Sequence, residues 1–275
     1  MLKRYLPFFR AGAMDLMAFK FAVFTWVIVT MFQVACTIFL WLAVYQNSPD
    51  TIINGFTIQE MITFQVFINI YTFVTFDNNT GYTINQEIKD GTIAMSFVKP
   101  ISYRLRFIAT NLGSFSVLMF MFGVPLLTIA YVVLSLIGFI TIKISIWGFL
   151  LYLLLFFVAQ IIAVLLNDTI CYIFGILCFY TTAGFGLNQI KMVVVNFLSG
   201  VYVPIAFFPG IFKTIATYLP FAGMAQNPIL ILLMKVDYLK ALEYIGLSLL
   251  WLIILEIFAK LLFSHASKKV TVQGG

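Results

Sequence analysis

Long apolar runs separated by short polar ones make up most of this chain. No charged residue occurs at 21–49, 61–76, 107–142, 144–167, 169–190 or 192–212, and a further apolar run at 241–263 carries only Glu243, Glu256 and Lys260. About 20 residues at a rise of about 1.5 Å cross the hydrocarbon core of a bilayer. The pattern predicts spans at 21–45, 58–76 and 109–137 and another starting near 145, with the runs 192–212 and 241–263 supplying the last two. The stretch 144–190 is too long for one straight span and holds Asn167-Asp168 near its middle, so it is either one long helix or two helices turning there.

Charge decides between them. With one helix there are six spans and both termini share the side that holds Lys3, Arg4, Arg10, Lys20, Lys89, Lys99, Arg104, Arg106, Lys191, Lys260, Lys268 and Lys269. Only Lys143, Lys213, Lys235 and Lys240 remain opposite. That asymmetry follows the tendency of Lys and Arg to stay in the cytoplasm. The expected fold is therefore an all-α integral membrane protein of six spans with cytoplasmic termini, in a cell membrane of bacterial plasma-membrane type.

Two segments are not spans. Residues 5–19 place Leu6, Phe9, Ala13, Leu16 and Met17 at helical spacing opposite Arg10 and Asp15, which predicts an interfacial amphipathic helix. Residues 209–240 lie outside between spans five and six, broken at Pro209-Gly210, Pro220 and Pro228. Their apolar stripe predicts a re-entrant hairpin buried in protein, since irregular backbone at membrane depth persists only there.

Composition agrees. Hydrophobic residues are 63% of the 275 and charged residues only 9%, against roughly a quarter charged in soluble domains. The whole of 1–275 reads as one transmembrane domain, with no soluble domain, repeat or cleaved signal peptide; 21–45 reads as a retained first span. The net charge of +6 is dispersed between apolar runs, which suits an anionic leaflet and argues against nucleic acid as a partner. Cys36, Cys171 and Cys178 all lie within apolar stretches and read as small buried residues.

Candidate chemistry narrows the function by what is missing. There is no Gly-x-x-x-x-Gly-Lys-Ser/Thr loop for ATP, no His/Cys/Glu cluster for a metal and no Gly-x-Ser-x-Gly elbow. The expectation is a non-enzyme that binds no cofactor itself. The most informative segment is the loop 77–106, FDNNTGYTINQEIKDGTIAMSFVKPISYRLRF with its flanking Phe76 and Phe107. Thr83 with Gln86 has the spacing of a capping box and Gly91 that of a helix stop, predicting a two-turn helix at 84–90. Ile84 and Ile88, with Glu87, offer a docking surface.

At this loop a resemblance appears. Glu87, Gly91-Thr92 and Lys99-Pro100-Ile101, followed by Arg104 and Arg106, resemble the Glu-x-x-x-Gly-Thr…Arg/Lys-Pro block of type 2 ATP-binding-cassette exporter permeases. Leu198-Ser199-Gly200-x-x-x-Pro204, Phe208-Pro209 and Leu219-Pro220-Phe221 are similar to that family's end of span five and its outer hairpin. Trp41-Leu42-Ala43-Val44-Tyr45 is similar to the six-helix branch linked to antibiotic and multidrug export. The resemblance covers nearly the whole chain in order; Asn167-Asp168 departs from it. It implies a permease subunit that works with two copies of a separate ATPase, which carry the ATP and Mg. It also implies a second permease chain, identical or paralogous. Ile84, Glu87, Ile88, Gly91 and Thr92 would form the coupling helix for the ATPase, and Gly200, Pro204, Pro209 and Pro220 the external gate.

Polar residues inside the spans are candidates for the path. Gln65 and Asn69 share a face of span two, and Asn196 sits in span five. Most intramembrane amides join helices, while some line a path. Glu256 has Lys260 one turn on and reads as paired with it; Asp168 has no sequence-local partner and is the stronger path candidate. The competing reading is an ion-coupled carrier or channel that works without ATP, using Asp168 and Glu256.

Overall fold

The computed structural model describes residues 2–76, 78–98, 100–140, 145–181 and 183–269. Asp77, Lys99 and Lys143, all assigned to loops from the sequence, lie outside the described residues. The chain opens with α1 (Leu6–Ala18), whose Pro7 stands in the first turn, where a missing N–H costs nothing. The long α2 (Lys20–Gln46) follows. A small hairpin, β1 (Ile52–Ile53) and β2 (Phe56–Thr57), turns through Asn54 and Gly55 at φ 49° and 85°, the left-handed pair that a two-residue hairpin turn requires.

The next helix, α3 (Ile58–Thr75), starts in a complete capping box: Thr57 accepts from the Glu60 amide, and Glu60 accepts from the Thr57 amide. Nearly all of α3 is buried, as its all-round apolar sequence requires. Phe64, Phe67, Ile68 and Tyr71 form the centre of the largest apolar core. Two short helices come next, α4 (Thr80–Lys89) and α5 (Ile93–Val98), divided by Gly91 at φ 69°.

The third long helix has two parts, α6 (Tyr103–Leu118) and α7 (Val124–Leu136), joined by a π-helical turn, Met119–Gly123. Pro125 has no N–H for the preceding turn, and the widened turn lets the helix continue past it. Beyond the gap, α8 (Ile146–Leu177) runs unbroken through Asn167 and Asp168, so no turn occurs there, and 144–190 divides instead after Leu177, with the next helix starting at Gly184. Then come α9 (Gly184–Leu198), α10 (Gly210–Tyr218), α11 (Gln226–Leu232) and the long α12 (Tyr238–Ala266).

Among the described residues, four helices are long and apolar enough to cross a membrane: Phe21–Gln46, Tyr103–Leu136, Ile146–Leu177 and Tyr238–Ala266. Of the other two predicted spans, 58–76 corresponds to α3, with 18 residues, whereas 192–212 is corrected: α9 begins earlier, at Gly184, contains Lys191 and ends at Leu198 after 15 residues. Two further local expectations need correcting. The third long helix begins at Tyr103, capped by Ser102, so Arg104 and Arg106 are helical and not in a loop. The Thr83–Gln86 capping box does not form; α4 starts earlier, at Thr80, and Gln86 Nε2 donates instead to the Tyr82 hydroxyl at 2.9 Å.

Helix packing places both ends of the site. α1 packs along α6, where Gly12 faces the Thr110 carbonyl and Gly113 the Phe9 carbonyl so closely that a Cβ at either glycine would collide with backbone. α8 and α12 form an extended pair, and α4 packs across the last turns of α8. Within 209–240, α10 leaves Ile211 and Ile215 exposed. By contrast, Pro228 and Ile229 of α11 are buried where that helix meets α3 and α8.

Candidate functional site: a clasp around Arg104

Asp168 is buried, with its side chain only 1% exposed, and it is fully partnered. Its Oδ2 accepts from Arg104 Nη1 at 2.5 Å. Its Oδ1 accepts from Asn78 Nδ2 and the Thr80 hydroxyl, each at 2.9 Å, and from Asn111 Nδ2. Arg104 then reaches onward to α12, where Nε lies 3.1 Å and Nη2 2.5 Å from Glu256 Oε1. Thr169, the residue after Asp168, accepts from Arg104 Nη2 at 3.0 Å, and its hydroxyl lies 2.7 Å from Glu256 Oε1. The guanidinium also lies over the Tyr172 ring, 4.7 Å from its centroid.

One planar cation thus joins three long helices, α6, α8 and α12, to the segment that leads into α4. Arginine suits this place because its planar guanidinium holds five donors in a rigid fork, enough to serve two carboxylates at once. The burial of Asp168 and the partial burial of Glu256 are met by ion pairing and hydrogen bonds, as low-dielectric surroundings require. Neither Asp168 nor Glu256 is an unpaired acid. The expected partner of Glu256, Lys260, is corrected: Arg104 takes that place from 152 residues away.

A second node lies beside the first. Glu87 accepts from Arg106 Nη2 at 2.7 Å and from the Tyr103 hydroxyl at 2.8 Å, while Arg106 stacks 4.5 Å from the Phe107 ring centroid. Ile84 has no exposed surface and rests on Gly175 of α8, its Cδ1 only 2.7 Å from where a Cβ would stand. Ile88 is partly buried against the same apolar cluster. Ile84, Glu87 and Ile88 therefore do not form a free docking face, contrary to the sequence reading. They fasten α4 to α6 and α8, because this apolar face finds its groove within the chain. Gly91 and Thr92 are exposed as expected, and so are Tyr82, Lys89, Asp90, Met95 and Val98.

The remaining candidates are dispersed. Gln65 and Asn69 are buried in α3; Asn69 Nδ2 donates to the Gln65 carbonyl at 2.7 Å, and the Gln65 side-chain amide has no hydrogen-bond partner among the described residues. Asn196 is partly buried on α9, and its Nδ2 lies 3.2 Å from the Tyr202 hydroxyl. Gly200 (φ 80°) abuts Gln226, whose Oε1 accepts from the Ile205 amide at 2.7 Å. Pro204 and Pro220 are buried, Pro209 exposed. None of these touches the Arg104 cluster. Residues missed from the sequence are Arg104, Asn78, Thr80, Asn111, Thr169 and Tyr103. A signal existed for the first: a lone intramembrane acid demands a cation, and Arg104 adjoins a span.

The profile of the ABC-2 family transporter proteins matches residues 31–274. The chain belongs to this ABC-2 transporter family. Comparison with curated proteins and with solved structures gives no significant match. An ABC-2 transporter chain is the membrane component of an ATP-binding-cassette system and a multi-pass membrane protein. Members are usually non-catalytic and work with ABC ATPase subunits in general. In this ABC-2 chain the clasp occupies the end of the bundle that carries α4.

Proposed function

We infer that the chain is the permease subunit of an ATP-driven exporter. It works as one of two permease chains, with two copies of a separate ATPase that supply bound ATP and Mg. In this reading α3 and α9 complete six spans, about 27 and 22 Å long at 1.5 Å per residue. Both termini are cytoplasmic, α1 lies at the interface, and 209–240 forms the external re-entrant hairpin with Gly200, Pro204, Pro209 and Pro220 at its gate. Asp168 acts as a tie in the helix bundle, and Gln65, Asn69 and Asn196 remain the path candidates.

The observation that carries this reading is the clasp itself. A loop pinned by Asp168, Arg104 and Glu87 cannot move without moving α6, α8 and α12, which is what a coupling element has to do. The ATPase would then dock on the outward side of α4 and α5, around Tyr82, Gly91, Thr92 and Met95. An ion-coupled carrier has less support, because both acids it would use are held by Arg104. The test is ATPase capture by membrane-inserted Tyr82→Asp/Met95→Asp, which replaces two exposed side chains by unpaired charges at the contact. Capture and ATPase stimulation should fall at least about tenfold, a change of about 1.4 kcal/mol. Undiminished capture and stimulation would place docking elsewhere.

A further inference from the structure

A cleft of about 200 Å³ lies between α8, α9, α12 and the turn before α11. Its inner wall includes Ile170 and Val195, 6% and 4% exposed, with Phe221 beside them. Its rim includes Val194 and Phe258, 39% and 50% exposed, so it opens on the apolar outer surface of the helices. Lys191 is the sole charged residue on its wall. The ammonium lies 3.1 Å from Cys171 Sγ, a weak acceptor, and among the described residues no carboxylate lies within ion-pair distance of it.

An ammonium on an apolar, bilayer-facing wall is costly, and a lysine reduces that cost by extending its stem toward a polar layer. Lys191 stands seven residues into α9, about 10 Å along the axis from its start, and its side chain is partly exposed. An anion delivered there pairs the charge, and a hydrocarbon chain attached to that anion fills the cleft. A phospholipid has both parts in the required order, and the leaflet that attracts basic residues supplies anionic ones.

We propose that this cleft holds part of one acyl chain of an anionic phospholipid whose phosphate is bound by Lys191. Lipid seated there bridges α9 to α8 and α12 beside the clasp, whether or not an ATPase is present. The test uses the full chain, purified in detergent and offered dioleoyl phosphatidylglycerol, dioleoyl phosphatidylcholine or oleate, with retained lipid counted by native mass spectrometry. Wild type should retain one phosphatidylglycerol per chain and at least about tenfold less phosphatidylcholine, a preference of about 1.4 kcal/mol. Lys191→Gln should lose that preference, Lys191→Arg should keep it, and Val194→Trp, which fills the rim from its exposed side, should reduce retention of phosphatidylglycerol. Equal retention of the two phospholipids by wild type, or unchanged selectivity in Lys191→Gln, would overturn the site. Oleate held as tightly as phosphatidylglycerol would overturn the phosphate assignment.

Discussion

Arg104 shows how much of a single residue's role depends on where its partners fall in the chain. It looks like one basic residue in a basic loop, yet its guanidinium touches Asp168 and Glu256 from 64 and 152 positions away. Removing it leaves a buried carboxylate with no counter-charge, and breaking a buried pair in this way costs about 3–5 kcal/mol. Arg104→Met should therefore lower the thermal stability of the purified chain by about that amount. Arg104→Met/Asp168→Asn should recover part of the loss, because the orphaned charge goes while an amide oxygen still accepts from Asn78, Thr80 and Asn111. Additive losses in the double variant would show that the pair is not coupled. Asp168 was legible as unusual from the sequence, since an acid in a span requires a reason. Its partners were not, because side-chain pairing across 64 residues leaves no local spacing to read. The two Thr-initiated boxes make the same point. Thr57-x-x-Glu60 forms and Thr83-x-x-Gln86 does not, although both have the spacing, because α4 extends upstream to Thr80 once α8 is there to pack against.

Among the elements, the long helices were the most legible. α2 and α12 follow the charge gaps to within a few residues, as continuous apolar sequence dictates, whereas α8 runs through the charge of Asp168 and ends at Leu177, inside a gap. Least legible were the places where helices meet through glycine, since a missing side chain leaves no hydrophobic signal. α1 read as an interfacial amphipathic helix, and its Gly12 is buried against Thr110, with Ser114 Oγ donating to the Gly12 carbonyl at 3.1 Å. The apolar stripe was real; the close contact beside it was invisible to periodicity. Overpacking such a contact costs about 1–3 kcal/mol. Gly12→Val should free α1 from α6 and speed trypsin cleavage at the exposed Arg10 by about tenfold. Met14→Val, two residues further on at an exposed position, should leave cleavage unchanged. Equal protection of wild type and Gly12→Val would mean that α1 is held by something other than this contact.

The whole molecule has two polar ends with an apolar body between them. At one end Glu60 pairs with Lys235, Tyr45 donates to the Phe56 carbonyl at 2.7 Å and Tyr152 to the Val236 carbonyl at 2.8 Å. At the other lie Arg104, Arg106, Glu87 and the end of α12. Six spans require these to face opposite sides of the membrane. In a cysteine-free background, Asp50→Cys should react with an impermeant maleimide added to intact cells, and Lys268→Cys should react only after the membrane is opened. Labelling of Lys268→Cys from outside would rule the arrangement out. This division was partly legible in the distribution of Lys and Arg, but the sequence did not reveal which charges are spent on pairing within the chain.

The clasp also fixes an order of events during synthesis. Arg104 emerges from the ribosome 152 residues before Glu256, and at about 5–20 residues per second that interval is roughly 8–30 s. Until α12 arrives, Arg104 has Asp168 at most, and before α8 is made it has neither carboxylate. A half-made chain therefore exposes a cationic side chain that the finished chain conceals. Concealment of Arg104 is complete only once the last long helix is in place.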